Sequence, residues 1–245
     1  MVARPQSFLG AVRQTLASVP GLRRLKRAVK HAIASPQERV LAEAYEIGMT
    51  QMHTEIQALF KLVQQLKPAC VLEVGTANGG TFYIWTRLAL DDAALVSVDL
   101  PPTWAIDGPA EMRKLEVFRS FARGRQKLHF LRKDSHSVET RKEVTGLLAG
   151  SRVDFLFIDG DHSYEGVRKD FLNFAPLVRP GGLIAFHDIR EHSAGLAGEV
   201  WRFWAELRAV YPTMEFIESE RQDGFGIGVV TVPESGIPET VRSFA

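Results

Sequence analysis

A single cysteine, Cys70, occurs in 245 residues, which excludes an internal disulfide and any zinc site built from several thiolates. Long apolar runs are missing too. No stretch approaches the roughly 18 residues that a membrane span requires. The one early apolar stretch is broken by Arg13 and Gln14, so neither a spanning helix nor a secretory leader is expected. Charge of one sign is also lacking, with 30 Lys and Arg against 29 Asp and Glu, and no nucleic-acid partner is expected. Internal repeats and low-complexity tracts are absent. What remains, 45% hydrophobic and 24% charged residues, suits a globular domain that buries roughly 70 to 75% of its unfolded surface. A lone thiol fits a reducing, cytoplasmic setting.

The near-neutral total conceals an asymmetry: residues 1–39 hold eight Lys and Arg against Glu38 alone. Leu9, Val12, Leu16, Leu22, Leu25 and Val29 recur there at loosely helical spacing, with Pro20-Gly21 as a break. This basic amphipathic arm can lie peripherally on an anionic membrane, touch an anionic substrate or pack on a partner subunit; a solvated helix face explains it equally well. From Pro36 to Leu66 the apolar spacing predicts a long helix in one or two parts, ending at Lys67-Pro68. Residues 1–67 are thus expected to form a helical extension that closes a site or supports a homo-oligomer, and residues 68–245 the main domain.

After Pro68 short apolar runs alternate with helical stretches. Cys70–Val74, Leu95–Leu100, Lys127–Leu131, Val153–Ile158 and Gly182–Phe186 read as strands, and helices begin near Gly79, Pro109, Ser137 and Ser163. Near-continuous apolar strands are what a parallel sheet covered on both faces requires, so the fold class is α/β, a Rossmann-like wound sheet. A last helix, Gly198–Tyr211, precedes two runs, Met214–Ile217 and Phe225–Val232, joined by a polar turn. They predict a C-terminal hairpin and hence an antiparallel strand. Trp201 and Trp204 are expected to pack that last helix on the sheet.

The first strand leads into Glu73-Val-Gly75-Thr76-Ala77-Asn78-Gly79, which opens a helix. Ligands of wound sheets sit outside the carboxyl ends of the strands, and Asp99, ending the second strand, is placed to accept hydrogen bonds from ribose hydroxyls. Asp134 and Ser135, after the third strand, reach the same crevice, and Trp104 either borders a base or anchors a loop. A dinucleotide fingerprint calls for a second glycine where Ala77 stands. Glu-x-Gly-x-x-x-Gly, with Asp99 and the terminal hairpin, instead resembles class I S-adenosylmethionine-dependent methyltransferases over about Pro68–Val232. That resemblance implies a methionine end of the cofactor against the glycine loop and a ribose on Asp99. The candidate cofactor set is therefore Glu73, Gly75, Thr76, Asn78, Gly79, Asp99, Asp134 and Ser135. A tight structural turn with Asp99 as a helix cap is the bland counterpart.

The fourth strand runs into Ile158-Asp159-Gly-Asp161-His162-Ser163, the fifth into Phe186-His187-Asp188. Neighbouring strands lie about 4.8 Å apart, so Asp159, His187 and Asp188 can converge on one divalent cation. Strand alternation sends His187 and Asp188 to opposite faces, so both bind only if the strand has already turned at Phe186. These runs resemble the branch that includes cephalosporin hydroxylase-like proteins and macrolide-sugar O-methyltransferases. The resemblance implies magnesium held at Asp159, His187 and Asp188, and a general base at His162. The chain has His187 where that pattern has a carboxylate, and imidazole suits manganese, iron or zinc better than magnesium. A cation lowers the pKa of an acceptor hydroxyl, and an imidazole with its ordinary pKa of about 6.5 takes the proton. Asp159 and Asp161 as mere caps of the next helix, and His162 as an exposed helix-start residue, are the structural counterparts.

The sequence thus supports an S-adenosylmethionine-dependent O-methyltransferase acting on a small hydroxylated acceptor, a sugar or natural product, with magnesium or manganese as an optional helper. Two rivals stay open: a nicotinamide-dependent Rossmann oxidoreductase, and a non-catalytic cofactor-binding module that recruits partners through its basic arm. Gln51, His53 and Glu55 are weaker candidates for covering the cofactor, and His129 and His136 have no partner that spacing identifies.

Overall fold

The computed structural model describes residues 34–100, 109–193 and 198–238. The basic arm through residue 33 and Trp104 lie outside the described residues. Contacts divide the chain between Glu43 and Ala44 into two compact units. The helical run before the sheet is two helices, α1 (Pro36–Ile47) and α2 (His53–Leu66). Ser35 and Glu38 form a reciprocal capping box that starts α1. The break between the helices comes at Gly48, whose φ of +117° no residue with a side chain adopts readily.

Alternation of strand and helix continues as β1 (Cys70–Val74), α3 (Gly80–Leu88), β2 (Ala94–Val98), α4 (Pro109–Arg119), β3 (Lys127–Leu131), α5 (Val138–Leu148), β4 (Val153–Ile158), α6 (Tyr164–Phe174), β5 (Val178–His187), α7 (Val200–Val210), β6 (Thr213–Phe216) and β7 (Ile227–Thr231). The sheet order is β3-β2-β1-β4-β5-β7-β6. Strands β1 to β5 run parallel, while β7 pairs antiparallel with both β5 and β6. The expected hairpin is therefore present, with its second strand inserted next to β5.

Alternation along β4 explains how both faces of the sheet are filled. Phe155 and Phe157 meet the Trp85 ring of α3 edge-on, at 4.8 and 5.4 Å between centroids. Leu156 and Ile158 point the other way, into a core with Phe171 and Phe174 of α6 and Phe203 of α7. Helix α2 packs on β6, β7 and α3, so it is part of the layer over the sheet. Trp204 is buried and lies so close over Gly228 that a side chain there would strike its ring, at 2.6 Å; Trp201 is only partly covered.

The order reverses between β1 and β4, because β2 and β3 extend to one side and β5 to β7 to the other. That is the switch point at which wound sheets bind ligands. Backbone hydrogen bonds carry the ladder one residue past each strand: Gly75 N–H donates to Val98 O, Asp99 N–H to Leu131 O and Asp159 N–H to Val74 O. Gly75, Asp99 and Asp159 are thereby fixed along one rim.

Candidate active site

Gly75 has a φ of +85°, and a Cβ there would collide with the Asp159 carbonyl and stand 2.7 Å from Gly160 Cα. The loops after β1 and β4 touch backbone to backbone at this point. Ala77 also takes a left-handed φ, +44°, and its N–H donates to Asp99 Oδ2 at 3.0 Å. Arg132 holds the same oxygen at 3.1 Å and, through Nε, Glu111 at 2.7 Å. Asp99 is thus aimed by an amide and a guanidinium before any ligand arrives. Asp134 accepts from the His136 N–H at 2.8 Å, fixing the turn after β3.

These rims enclose a cleft of about 540 Å³, within the ordinary range for small-molecule sites. Gly75, Ala77, Asp99, Asp134, Ser135, Asp159 and His162 line it. The remaining candidates in the glycine loop play other parts. Glu73 is fully buried and its Oε1 accepts from Thr81 Oγ1 at 2.6 Å and Trp85 Nε1 at 3.0 Å. Burial pushes its carboxyl up to about 8, so it is protonated at neutral pH and its contacts are with α3. Thr76 is buried on Ser97, Asn78 faces Gly48, and Gly79 leaves room for the Phe118 ring.

A second cleft, of about 400 Å³, opens on the other side of Ala77, Asp159 and His162, and Thr50, His187, Asp188, His192 and Phe225 complete its lining. The ionisable cluster sits between the two. His162 Nδ1 is 2.8 Å from Asp188 Oδ2 and its Nε2 3.5 Å from Asp159 Oδ1. His187 Nδ1 lies 3.3 Å from Asp159 Oδ1 and 3.2 Å from Asp188 Oδ1. Strand β5 does turn as the convergence requires, though later than Phe186: it runs to His187, and Asp188 takes a left-handed φ of +59°. Both side chains therefore reach one point.

Asp159, His162 and Asp188 present ligand atoms within 4.8 Å of one another. The trio of closest donors thus contains His162 where the sequence reading has His187, which borders it through Nδ1. Two carboxylates with imidazole nitrogens suit a divalent cation of the borderline kind. Hydrogen bonds donated to the two carboxylates raise His162 to about 10, and the same carboxylates outweigh burial to raise His187 to about 10. The imidazoliums in turn hold Asp159 and Asp188 low against the effect of burial. This revises the expected base: with no cation present, His162 carries its proton at neutral pH and has no ordinary pKa.

Several contributors have partners that the sequence does not identify. Gln51 donates through Nε2 to Asp159 Oδ2 at 2.8 Å, so it orients the cluster and does not cover the first cleft. Glu55 is buried and grips the β6–β7 loop at Gln222 and Gly226. His136 finds Asp170, wholly buried in α6, at 3.4 Å. Arg132 lies directly after β3, where an alternating pattern offers no hint that it turns toward Asp99.

The family described as a methyltransferase domain matches residues 72–189, the span from β1 to the turn after β5. Over these residues, a little under half of the chain, the sequence is similar to that family. An uncharacterised protein of Sinorhizobium fredii is 32% identical over 161 residues, 63% of this chain; the match spans only 17% of that relative's length. Among solved structures, the O-methyltransferase of Bacillus cereus in complex with S-adenosylhomocysteine aligns with a TM-score of 0.53 at 17% identity, covering 83% of this chain and 96% of its own. MycE, a methyltransferase of the mycinamycin biosynthetic pathway solved with magnesium, S-adenosylhomocysteine and mycinamycin VI, aligns at 0.56 and 15% identity, over 96% of this chain and 66% of its own. At these identities the likeness is one of fold. No helix among the described residues is long and apolar enough to cross a membrane.

Proposed function

We propose that the chain is an S-adenosylmethionine-dependent O-methyltransferase that modifies a hydroxyl of a small acceptor seated in the second cleft, with a divalent cation at the Asp–His cluster. The observation that carries this is the shared wall: Ala77, Asp159 and His162 border both clefts, so a donor in one meets an acceptor in the other beside two carboxylates. In this reading Asp99, pre-aimed by Ala77 and Arg132, binds the ribose, and Asp134 and Ser135 border the base. The loop Gly75–Gly79 receives the methionine end. Gln51 keeps Asp159 turned into the cluster. Asp159, Asp188 and the imidazoles hold the cation, whose chemistry is to lower the pKa of a hydroxyl next to it. The rest of the rate comes from holding the acceptor oxygen in line. A nicotinamide reading is not favoured: Ala77 occupies the second glycine position, and its amide is spent on Asp99. The helical extension of residues 1–67, whose last helix α2 packs on the sheet, the cytoplasm as the setting and a homo-oligomeric state belong to the same proposal.

Transfer from radiolabelled S-adenosylmethionine, with manganese added and a panel of hydroxylated acceptors, tests this. Asp159→Asn is expected to lower turnover by at least about a hundredfold while S-adenosylhomocysteine binds as to wild type. Full turnover in that variant would exclude the proposed centre.

A further inference from the structure

The loop joining β6 to β7 takes a left-handed backbone at three successive residues: Gly224 (φ +80°), Phe225 (φ +55°) and Gly226 (φ +85°). Glycine adopts this conformation freely, whereas for a bulky side chain such as Phe225 it is an outlier that persists only where surrounding contacts enforce it. Those contacts are present. Gly224 N–H donates to Glu191 O at 2.9 Å, Phe225 O accepts from Arg190 N–H at 3.0 Å, and Gly226 N–H donates to Glu55 Oε2 at 3.0 Å. The other oxygen of the buried Glu55 accepts from Gln222 Nε2 at 2.7 Å, tying the loop to α2. Side chains at either glycine would meet obstruction, the His192 ring at 2.9 Å for Gly224 and Arg190 and Ile189 at 2.9 Å for Gly226.

The side chain bought by this strain does not go into the core. Phe225 is 38% exposed, lines the second cleft, and stands 5.9 Å from the His187 ring at an interplanar angle of 72°. His187 also touches both carboxylates of the cluster. A strained backbone that presents an apolar ring to a cleft, opposite the ionisable cluster, indicates recognition and not packing.

The geometry points to Phe225 as the residue that selects the acceptor: its ring is a platform for a flat ring that bears the reacting hydroxyl, and Glu55 is the positioning residue that holds the platform in place. The inference rests on the O-methyltransferase reading and adds the shape of the acceptor to it. Aromatic faces stack on flat rings and gain less from puckered saturated ones. Catechol and cis-cyclohexane-1,2-diol carry the same adjacent hydroxyl pair and differ in that face, so they serve as probes.

Binding is measured by calorimetry on the full chain, with manganese and S-adenosylhomocysteine present. Wild type is expected to favour catechol over the saturated diol. Phe225→Gly removes the ring and suits the left-handed backbone, so its thermal midpoint should stay level or rise while catechol affinity falls about tenfold and the saturated diol is unaffected. Phe225→Tyr should restore catechol binding, and Glu55→Gln should weaken it without changing the affinity for S-adenosylhomocysteine. Catechol binding unchanged in Phe225→Gly, equal losses for both diols, or no catechol binding by a wild type that binds S-adenosylhomocysteine would overturn the platform. Failure of S-adenosylhomocysteine itself to bind would instead remove the methyltransferase reading on which it stands.

Discussion

Glu73 and the Asp–His cluster show how burial and neighbours set protonation in opposite directions within one rim. The hydrogen bonds from Thr81 and Trp85 do not offset burial at Glu73, so desolvation dominates and its carboxyl stays protonated up to about 8. The folded state therefore retains a proton that the unfolded chain has released above its usual 4.5. Stability from this group is fully present below that value and is lost as pH rises toward 8, on the order of a few kcal/mol. Glu73→Gln keeps an acceptor for Thr81 and Trp85 but cannot ionise. Denaturant melts of the variant should lack the fall in stability that wild type shows between pH 5 and 8, and an unchanged slope would place the titration elsewhere. At the cluster, His162 and His187 carry protons that must leave before both imidazoles can serve as ligands. Manganese affinity should accordingly rise from pH 6 to 9, with proton release visible as a calorimetric enthalpy that depends on the buffer. Binding that is indifferent to both pH and buffer would contradict the assignment of those protons. The sequence marks Asp159, His162, His187 and Asp188 by their place after strands. It does not mark the left-handed turn at Asp188, because a positive φ at aspartate leaves no residue signature. Phe225 is hidden for the same reason.

Among the elements, β1 and β4 do most to build the site, and the glycine between β1 and α3 sets how closely they meet. Gly75→Ala puts a methyl group into the Asp159 carbonyl, which is backbone and cannot swing aside. The loss of stability should exceed about 3 kcal/mol, and any folded fraction should have lost affinity for S-adenosylhomocysteine. Chemical denaturation read by tryptophan fluorescence measures the first effect; a loss below 1 kcal/mol would mean the two loops separate more easily than their packing implies. Strands and helices were legible because their apolar spacing follows directly from burial: Val153–Ile158 is apolar on both faces and is covered on both. The role of α2 was less so. Its pattern reads as a continuation of the preceding helix, and only the turn at Gly48 and the grip of Glu55 on the β6–β7 loop reveal it as a wall of the sheet unit.

For the sheet as a whole, the fold gathers the ends of β1, β2, β3 and β4 into the first cleft and those of β4 and β5 into the second, with the ionisable cluster between them. The class of fold was accessible from sequence since the glycine loop, the acidic residue after β2 and the reversed last strand are each imposed by backbone geometry. The second cleft was not, because it is drawn from residues far apart in the chain, Thr50, His192 and Phe225 among them. The central claim is that Asp99, aimed by Ala77 and Arg132, secures the sugar of a sulfonium nucleoside. Calorimetric titration of wild type and Asp99→Ala with S-adenosylhomocysteine, and of wild type with NAD, tests it most directly. Tight 1:1 binding to wild type, at least about tenfold weaker binding to the variant and no heat with NAD are predicted. Equal affinity in both proteins, or binding of NAD in place of S-adenosylhomocysteine, would contradict it.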